Sequence, residues 1–247
     1  MQLDPSMYGE GLADLYDLIY PEGPEVGMAA DFVGERTPEK GSVLEFGVGT
    51  GRIALAMADK GLAVHGVDAS QKMLDILTEK AGDRAITSSV GDFTDVDCGG
   101  VYDTVLVAIN TLFMVPDQDL QIKVFENARR HLKDEGKFII EVYEPTRFHA
   151  MADGHDTMVQ HLDKESLLLL SVQVDKVSQI AAIGQSYMRS GELRKIPEIS
   201  RYSWPSELDL MARIAGMRLA ERYEDWTGTP FHQRSGRHIS VYEPRLD

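Results

Sequence analysis

Apolar positions along the chain follow two rhythms, with the change at Pro145. Before it, short apolar runs alternate with stretches at helical spacing. Val43–Phe46 reads as a buried strand, and Ala63–Val67, Ala85–Val90, Thr104–Ile109 and Lys137–Tyr143 as four further strands. Between them, Ile53–Lys60, Gln71–Lys80 and residues 117–133 carry the i, i+3, i+4 pattern of amphipathic helices. Alternation at this spacing predicts right-handed crossovers and a parallel sheet covered by helices on both faces. Upstream, residues 8–35 read as helical, with Leu12, Leu15, Tyr16, Leu18 and Ile19 at helical spacing and an interruption at Pro21 and Gly23.

After Pro145 the period shortens. Thr157–Leu162, Leu167–Val177, Gln179–Met188 and Leu193–Trp204 are β-like runs joined by short turns. They predict an antiparallel meander rather than further crossover units, seated on the rim of the parallel sheet. Pro205-Ser206-Glu207 opens a helix to Ala215, and Gly216 stops it. Leu219–Glu224 and Arg237–Glu243 then complete a sheet of seven strands. The expected organisation is an N-terminal helical lid over residues 1–37, a core over 38–150 and 205–247, and a β insertion over 151–204 above an acceptor pocket.

Composition narrows the function classes. With 25 basic and 40 acidic side chains the chain carries a net charge of −15, which opposes a nucleic-acid or anionic-membrane partner. The single cysteine, Cys98, excludes a disulfide framework and a cysteine-built zinc site, and the seven histidines show no ligand spacing. Met1-Gln2-Leu3-Asp4-Pro5 lacks the basic and apolar blocks of a signal peptide. The expectation is a cytoplasmic enzyme of small molecules without a metal; a homodimer is compatible with the sequence.

The chemistry concentrates where strands end. Val43-Leu44-Glu45-Phe46 runs straight into Gly47, Gly49 and Gly51, and then into a helix beginning near Arg52. Alternating glycines let a ligand lie against backbone N–H groups, although Gly-x-Gly-x-Gly alone equally describes a tight turn. Asp68 ends the second strand, 17 residues after Gly51, where a carboxylate can accept both hydroxyls of a ribose. Asp92-Phe93 follows the third strand and can meet an adenine amino group and pack on its ring.

Glu45-Phe46-Gly47-Val48-Gly49-Thr50-Gly51, Val67-Asp68-Ala69-Ser70, Met73-Leu74 and Gly91-Asp92-Phe93 together resemble the successive motifs of class I S-adenosylmethionine-dependent methyltransferases. The resemblance covers about residues 38–145 and implies a Rossmann-like fold, with S-adenosylmethionine as cofactor. It implies that the glycine loop passes under the methionine part, that Asp68 holds the ribose and that Asp92 meets the adenine, with Glu45, Ala69, Met73 and Phe93 as further cofactor-binding candidates. Arg52 is a candidate partner of the cofactor carboxylate, and Asn110 follows the fourth strand at the same edge. Tyr8-Gly9-Glu10 and Leu15-Tyr16-Asp17-Leu18-Ile19-Tyr20 are similar to the N-terminal segment of deoxyaminosugar N-methyltransferases. In those enzymes the segment closes over the cofactor, which implicates Tyr8, Tyr16 and Tyr20. The histidine that those enzymes carry after the fourth strand is missing: the stretch here is Asn110-Thr111-Leu112-Phe113-Met114. An apolar floor of Phe113 and Met114, and an aromatic or heterocyclic acceptor, are expected instead.

Methyl transfer is an in-line displacement that needs positioning, and a hydroxyl acceptor also profits from a base. Glu144 and His149 are the candidate bases, with His155 and His232 behind them, and Tyr8 is a candidate for aligning the sulfonium. The attacked atom, N, O or an electron-rich C, stays open. Rival readings are an NAD(P)-dependent oxidoreductase, whose loop is usually Gly-x-Gly-x-x-Gly, and a noncatalytic S-adenosylmethionine-binding protein.

Overall fold

A computed structural model describes residues 4–245. Met1–Leu3, which belong to the signal-peptide reading and to the expected lid, lie outside the described residues. The central sheet has seven strands: β1 Ser42–Phe46, β2 Ala63–Asp68, β3 Ile86–Val90, β4 Tyr102–Val107, β5 Leu132–Tyr143, β10 Met217–Tyr223 and β11 Arg237–Pro244. Their spatial order is β3-β2-β1-β4-β5-β11-β10. β1 to β5 are parallel, while β11 runs antiparallel to both β5 and β10. From β1 the chain first winds outward to β3, then returns to the other side of β1 as β4. That reversal is the switch point at which open α/β sheets take ligands, outside the carboxyl ends of the strands.

Helices α3 Pro24–Glu35, α4 Arg52–Asp59, α5 Gln71–Ala81, α6 Gln118–Arg130 and α8 Pro205–Ile214 cover the sheet. Two apolar layers result. Phe46, Phe125, Phe138 and Tyr242 pack under α6 and α8, and Phe32, Val43, Met57 and Leu106 pack under α3 and α4. The α3 helix is therefore part of the core, and of the expected lid 1–37 the structure leaves only the first two short helices outside it. The helical reading of 8–35, interrupted at Pro21 and Gly23, has one further break. α1 Met7–Leu12 and α2 Tyr16–Ile19 are separate turns, because the break at Ala13–Leu15 turns both Leu12 and Ile19 onto Leu168, Tyr187 and Ile196.

Two further boundaries differ. The helix expected over 117–133 ends at Arg130, where His131 caps it, and β5 begins at Leu132 instead of Lys137. The polar segment Lys133-Asp134-Glu135 hid this start, because its side chains are exposed where the strand bulges out between the pairs Leu132–Tyr102 and Lys137–Thr104. The insertion forms a four-stranded antiparallel sheet in the order β6 His155–His161, β7 Ser166–Asp175, β8 Ile180–Arg189, β9 Glu192–Arg201. A one-turn helix, α7 Thr146–His149, leads into it.

Candidate active site

The glycine loop leaves β1 with Gly47, Gly49 and Gly51 all at positive φ (69°, 55° and 87°). A Cβ on Gly47 would lie 2.3 Å from the Thr111 methyl, whereas one on Gly49 would meet nothing within 4 Å. The loop is thus jammed against the turn after β4 on one side and opens into space on the other. Asp68, at the tip of β2, accepts the Gly49 amide through Oδ2 and the Ser70 amide through Oδ1, both at 2.9 Å. These bonds fix the carboxylate beside the loop and pull its pKa down, but burial outweighs them and pushes it up.

Glu45 is buried, and its Oε2 has no hydrogen-bond partner among the described residues. Burial, with the Asp68 charge as the second cause, pushes its carboxyl up to about 8. Arg52 donates from Nη2 to the Pro21 carbonyl at 3.1 Å, while its buried Nε is unpartnered. A carboxyl and a guanidinium with spare hydrogen-bonding capacity flank the loop, as the amino and carboxylate ends of a methionine require. With the space in front of Gly49, the residues present fit the cofactor that the motifs imply.

The remaining expected residues distribute along the same edge of the sheet. Ala69 follows Asp68 in the turn, and the side chain of Met73 is buried in the first turn of α5. Asp92 accepts the Thr94 amide at 2.9 Å, and Phe93 stacks on Phe46 at 5.9 Å, so the pair has its own structural duties beside any contact to a base. Asn110 and its neighbour Ile109 both sit in the left-handed region, at φ 61° and 53°. Asn110 Oδ1 holds the Tyr143 amide at 2.6 Å.

The N-terminal segment joins this edge to the insertion. Gly9 lets α1 approach α5: a Cβ there would come within 2.5 Å of Ser70 Cβ. Glu10 accepts the Ser70 hydroxyl at 2.8 Å, and Asp17 accepts the Thr50 hydroxyl at 2.8 Å, so both ends of the segment are tied to the cofactor-side loops. Tyr16 packs on Tyr20 with ring centroids 5.0 Å apart, and Tyr20 Oη meets Tyr8 Oη at 3.3 Å. Burial raises the pKa of all three phenols, which keeps them protonated and suits them to orienting rather than proton transfer.

The expected bases are drawn elsewhere. Glu144 accepts the Thr146 amide at 2.8 Å and caps the turn of α7. His149 is exposed, and its Nε2 meets Tyr202 Oη at 2.9 Å between the Tyr202 and Trp204 rings. His155 is exposed on the edge strand β6, and His232 pairs with Glu224 at 3.1 Å. None of the four joins the tyrosine cluster by a hydrogen bond. Phe113 is fully buried behind Tyr143, centroids 4.9 Å apart, so it underlies the expected floor without surfacing it; Met114 is half-buried.

Sequence reasoning missed the polar residues that β5, β8 and β9 bring to the tyrosines. Gln185 donates to Glu198 Oε2 at 3.0 Å and to Tyr8 Oη at 3.5 Å, and Ser200 donates to Glu198 Oε1 at 2.8 Å. Tyr143 Oη is buried with no partner among the described residues. Period-two alternation in β9 held the signal: Glu198 shares a face with buried Ile196 and Ser200, and a carboxylate on an inward face needs a reason.

A glycine loop at the switch point, an acid on the neighbouring strand tip, and a tyrosine-bearing segment across them define a Rossmann-like methyltransferase. The comparisons carry this further. Residues 43–136 match the methyltransferase domain family. The solved CcbJ methyltransferase from Streptomyces caelestis is 35% identical with a TM-score of 0.92, over 99% of this chain and all of that one. The cypemycin N-terminal methyltransferase of a Streptomyces species is 29% identical over 97% of this chain and 98% of its own length. A dTDP-4-amino-2,3,4,6-tetradeoxy-D-glucose N,N-dimethyltransferase from Saccharopolyspora spinosa is 29% identical over 55% of this chain and 56% of that relative. The chain belongs to the S-adenosylmethionine-dependent methyltransferases and is an enzyme of that class.

Proposed function

We propose that this enzyme methylates a small-molecule acceptor of the natural-product type, with the acceptor seated between the α1–α2 segment and the inner face of the insertion. When bound, S-adenosylmethionine supplies a methyl group on a sulfonium, ready for displacement. Asp68 would hold the ribose, Asp92 and Phe93 the adenine, and Glu45 and Arg52 the two charged ends of the methionine part. Tyr8 and Tyr20, protonated and linked to each other, orient what lies beneath them. Closure by α1 and α2 excludes water from the reacting atoms, the main service a protein renders to a displacement of this kind.

One observation carries the reading. The same short segment is clamped to the cofactor loop by Asp17 and Thr50 and packed on the insertion by Leu12 and Ile19. A roof built this way encloses a compact acceptor and leaves no open basic groove for a nucleic acid. The relatives' names, which include an amino-sugar N,N-dimethyltransferase and a cypemycin N-terminal methyltransferase, support the same class. The reading also carries a cytoplasmic setting with no membrane partner; no described helix is long and apolar enough to cross a membrane.

The test is turnover of methyl-labelled S-adenosylmethionine with a panel of amino sugars, heterocyclic amines, phenols and short peptides with free N-termini. Methylation within the panel is expected. Cofactor binding without turnover of any class would return the chain to a binding role, and NADH binding in its place would favour the oxidoreductase reading.

A further inference from the structure

Glu198 lies on β9 on the face that also carries Ile196 and Ser200, next to Gln185, which reaches Tyr8 of α1. It is half-buried and forms no salt bridge with any described residue. Its two hydrogen bonds come from neutral donors, Gln185 and Ser200. The groups linked to it also have acceptor capacity to spare: Gln185 Oε1 is buried with no partner among the described residues, and the Tyr8 and Tyr20 oxygens share one hydrogen bond between them. Gln185 bridges it to the phenols, donating both to Glu198 Oε2 at 3.0 Å and to Tyr8 Oη at 3.5 Å, and Tyr8 Oη meets Tyr20 Oη at 3.3 Å. A carboxylate and several acceptor oxygens converging on one space, with aromatic faces alongside, make a receptor for a cation bearing N–H donors. A neutral hydroxyl could use one of these groups and would leave the rest unsatisfied.

We propose that Glu198 recognises the acceptor: its carboxylate pairs with a protonated amine and takes one proton from it, so that the enzyme methylates basic amines in preference to hydroxyls. This rests on the methyltransferase reading. The balance is simple. An alkylammonium gives one N–H proton to the Glu198 carboxylate and becomes a neutral amine. The nitrogen lone pair forms the new N–C bond as the methyl C–S bond breaks, its electron pair staying on sulfur, and the product leaves as a methylated ammonium. Burial raises the Glu198 carboxyl, which eases acceptance of that proton. The role falls to a strand of the insertion, where the segment after β4 offers no histidine.

The test compares wild type, Glu198→Gln and Glu198→Asp, each saturated with S-adenosylhomocysteine, for binding of benzylamine against benzyl alcohol by calorimetry or ligand-observed magnetic resonance. Gln is isosteric, and its amide can donate to the unpartnered Gln185 Oε1, so folding should survive; thermal melts check this. Wild type should prefer the amine by at least about tenfold, as a charge-assisted contact implies. Glu198→Gln should lose the preference, and Glu198→Asp, which restores the charge on a shorter arm, should recover part of it. A preference retained in Glu198→Gln overturns the proposal, as does wild type that binds neither probe or binds both alike. S-adenosylhomocysteine affinity separates the two levels. If it is sound in all three proteins, any failure belongs to Glu198; if wild type does not bind it, the methyltransferase reading itself fails.

Discussion

Glu141 on β5 accepts the Ile109 amide through Oε2 at 3.0 Å, bridging the carboxyl ends of two neighbouring strands. Its other oxygen takes Trp226 Nε1 at 3.1 Å and Arg237 Nη1 at 3.3 Å. Three donors around one buried carboxylate hold the left-handed pair Ile109–Asn110 in place. Left-handed backbone at non-glycine residues costs on the order of 1–3 kcal/mol and persists only where neighbours enforce it.

Glu141→Gln tests that clamp. The new amide would point a donor at one of three donors, and an unpaired buried donor costs about 1–3 kcal/mol. Urea melts should show a loss of that order, with kcat reduced more than S-adenosylhomocysteine affinity because the turn, not the nucleoside site, is loosened. An unchanged melt would remove the clamp from the account.

Asp68→Ala should weaken S-adenosylmethionine binding at least about tenfold, because two charge-assisted bonds to a ribose contribute about 1.5–3 kcal/mol each and 1.4 kcal/mol is a decade. The substitution also frees the Gly49 amide and so loosens the loop. Calorimetry that finds wild-type affinity would reduce Asp68 to a turn residue.

The centre of the sheet was legible because a buried strand there is an apolar run that stops at a glycine or an acid, as Phe46-Gly47 and Val67-Asp68 do. The acceptor side was not. Gln185 and Glu198 meet across the β8–β9 hairpin, but Tyr8, 177 residues before Gln185, reaches them only because α1 packs on the insertion. No local spacing encodes that meeting. His149 misled for a related reason: a histidine beyond a strand looks free in a sequence, but here Tyr202, supplied after β9, engages it.

Glu45 sets a pH dependence with a definite sign. Its carboxyl sits at about 8 in the fold against 4.5 for an exposed glutamate. The folded state therefore holds a proton that the unfolded chain has released. The stability this group contributes is complete below 4.5 and is lost as pH rises through 8. Glu45→Gln should flatten the stability profile of the cofactor-free protein across that window while weakening S-adenosylmethionine binding. A profile with the wild-type slope would show that another group carries it.

Turnover should persist in excess EDTA. Among the described residues no group of three or more His, Cys, Asp or Glu side chains could hold a metal ion. Methyl transfer to an amine also needs no Lewis acid on the acceptor. Activity lost in chelator and restored by magnesium would require a site formed only with substrate.

The N-terminal segment is best tested by point changes. Deleting residues 1–20 would expose Leu168, Tyr187 and Ile196, which Leu12 and Ile19 cover, and would confound closure with stability. Gly9→Ala is cleaner, because the added methyl would meet Ser70 Cβ at 2.5 Å and push α1 off α5 without touching the core layers. Displacement of an aligning element by about 1 Å can cost up to a hundredfold in rate. Gly9→Ala should therefore lower kcat/KM by about tenfold to a hundredfold, with a melting curve close to wild type and faster proteolysis within residues 7–20. Tyr8→Phe keeps the ring and removes the oxygen that meets Tyr20 and Gln185, so it should lower kcat more than it weakens cofactor binding. If both variants turn over at the wild-type rate, α1 is a structural strap and the acceptor lies elsewhere along the sheet edge.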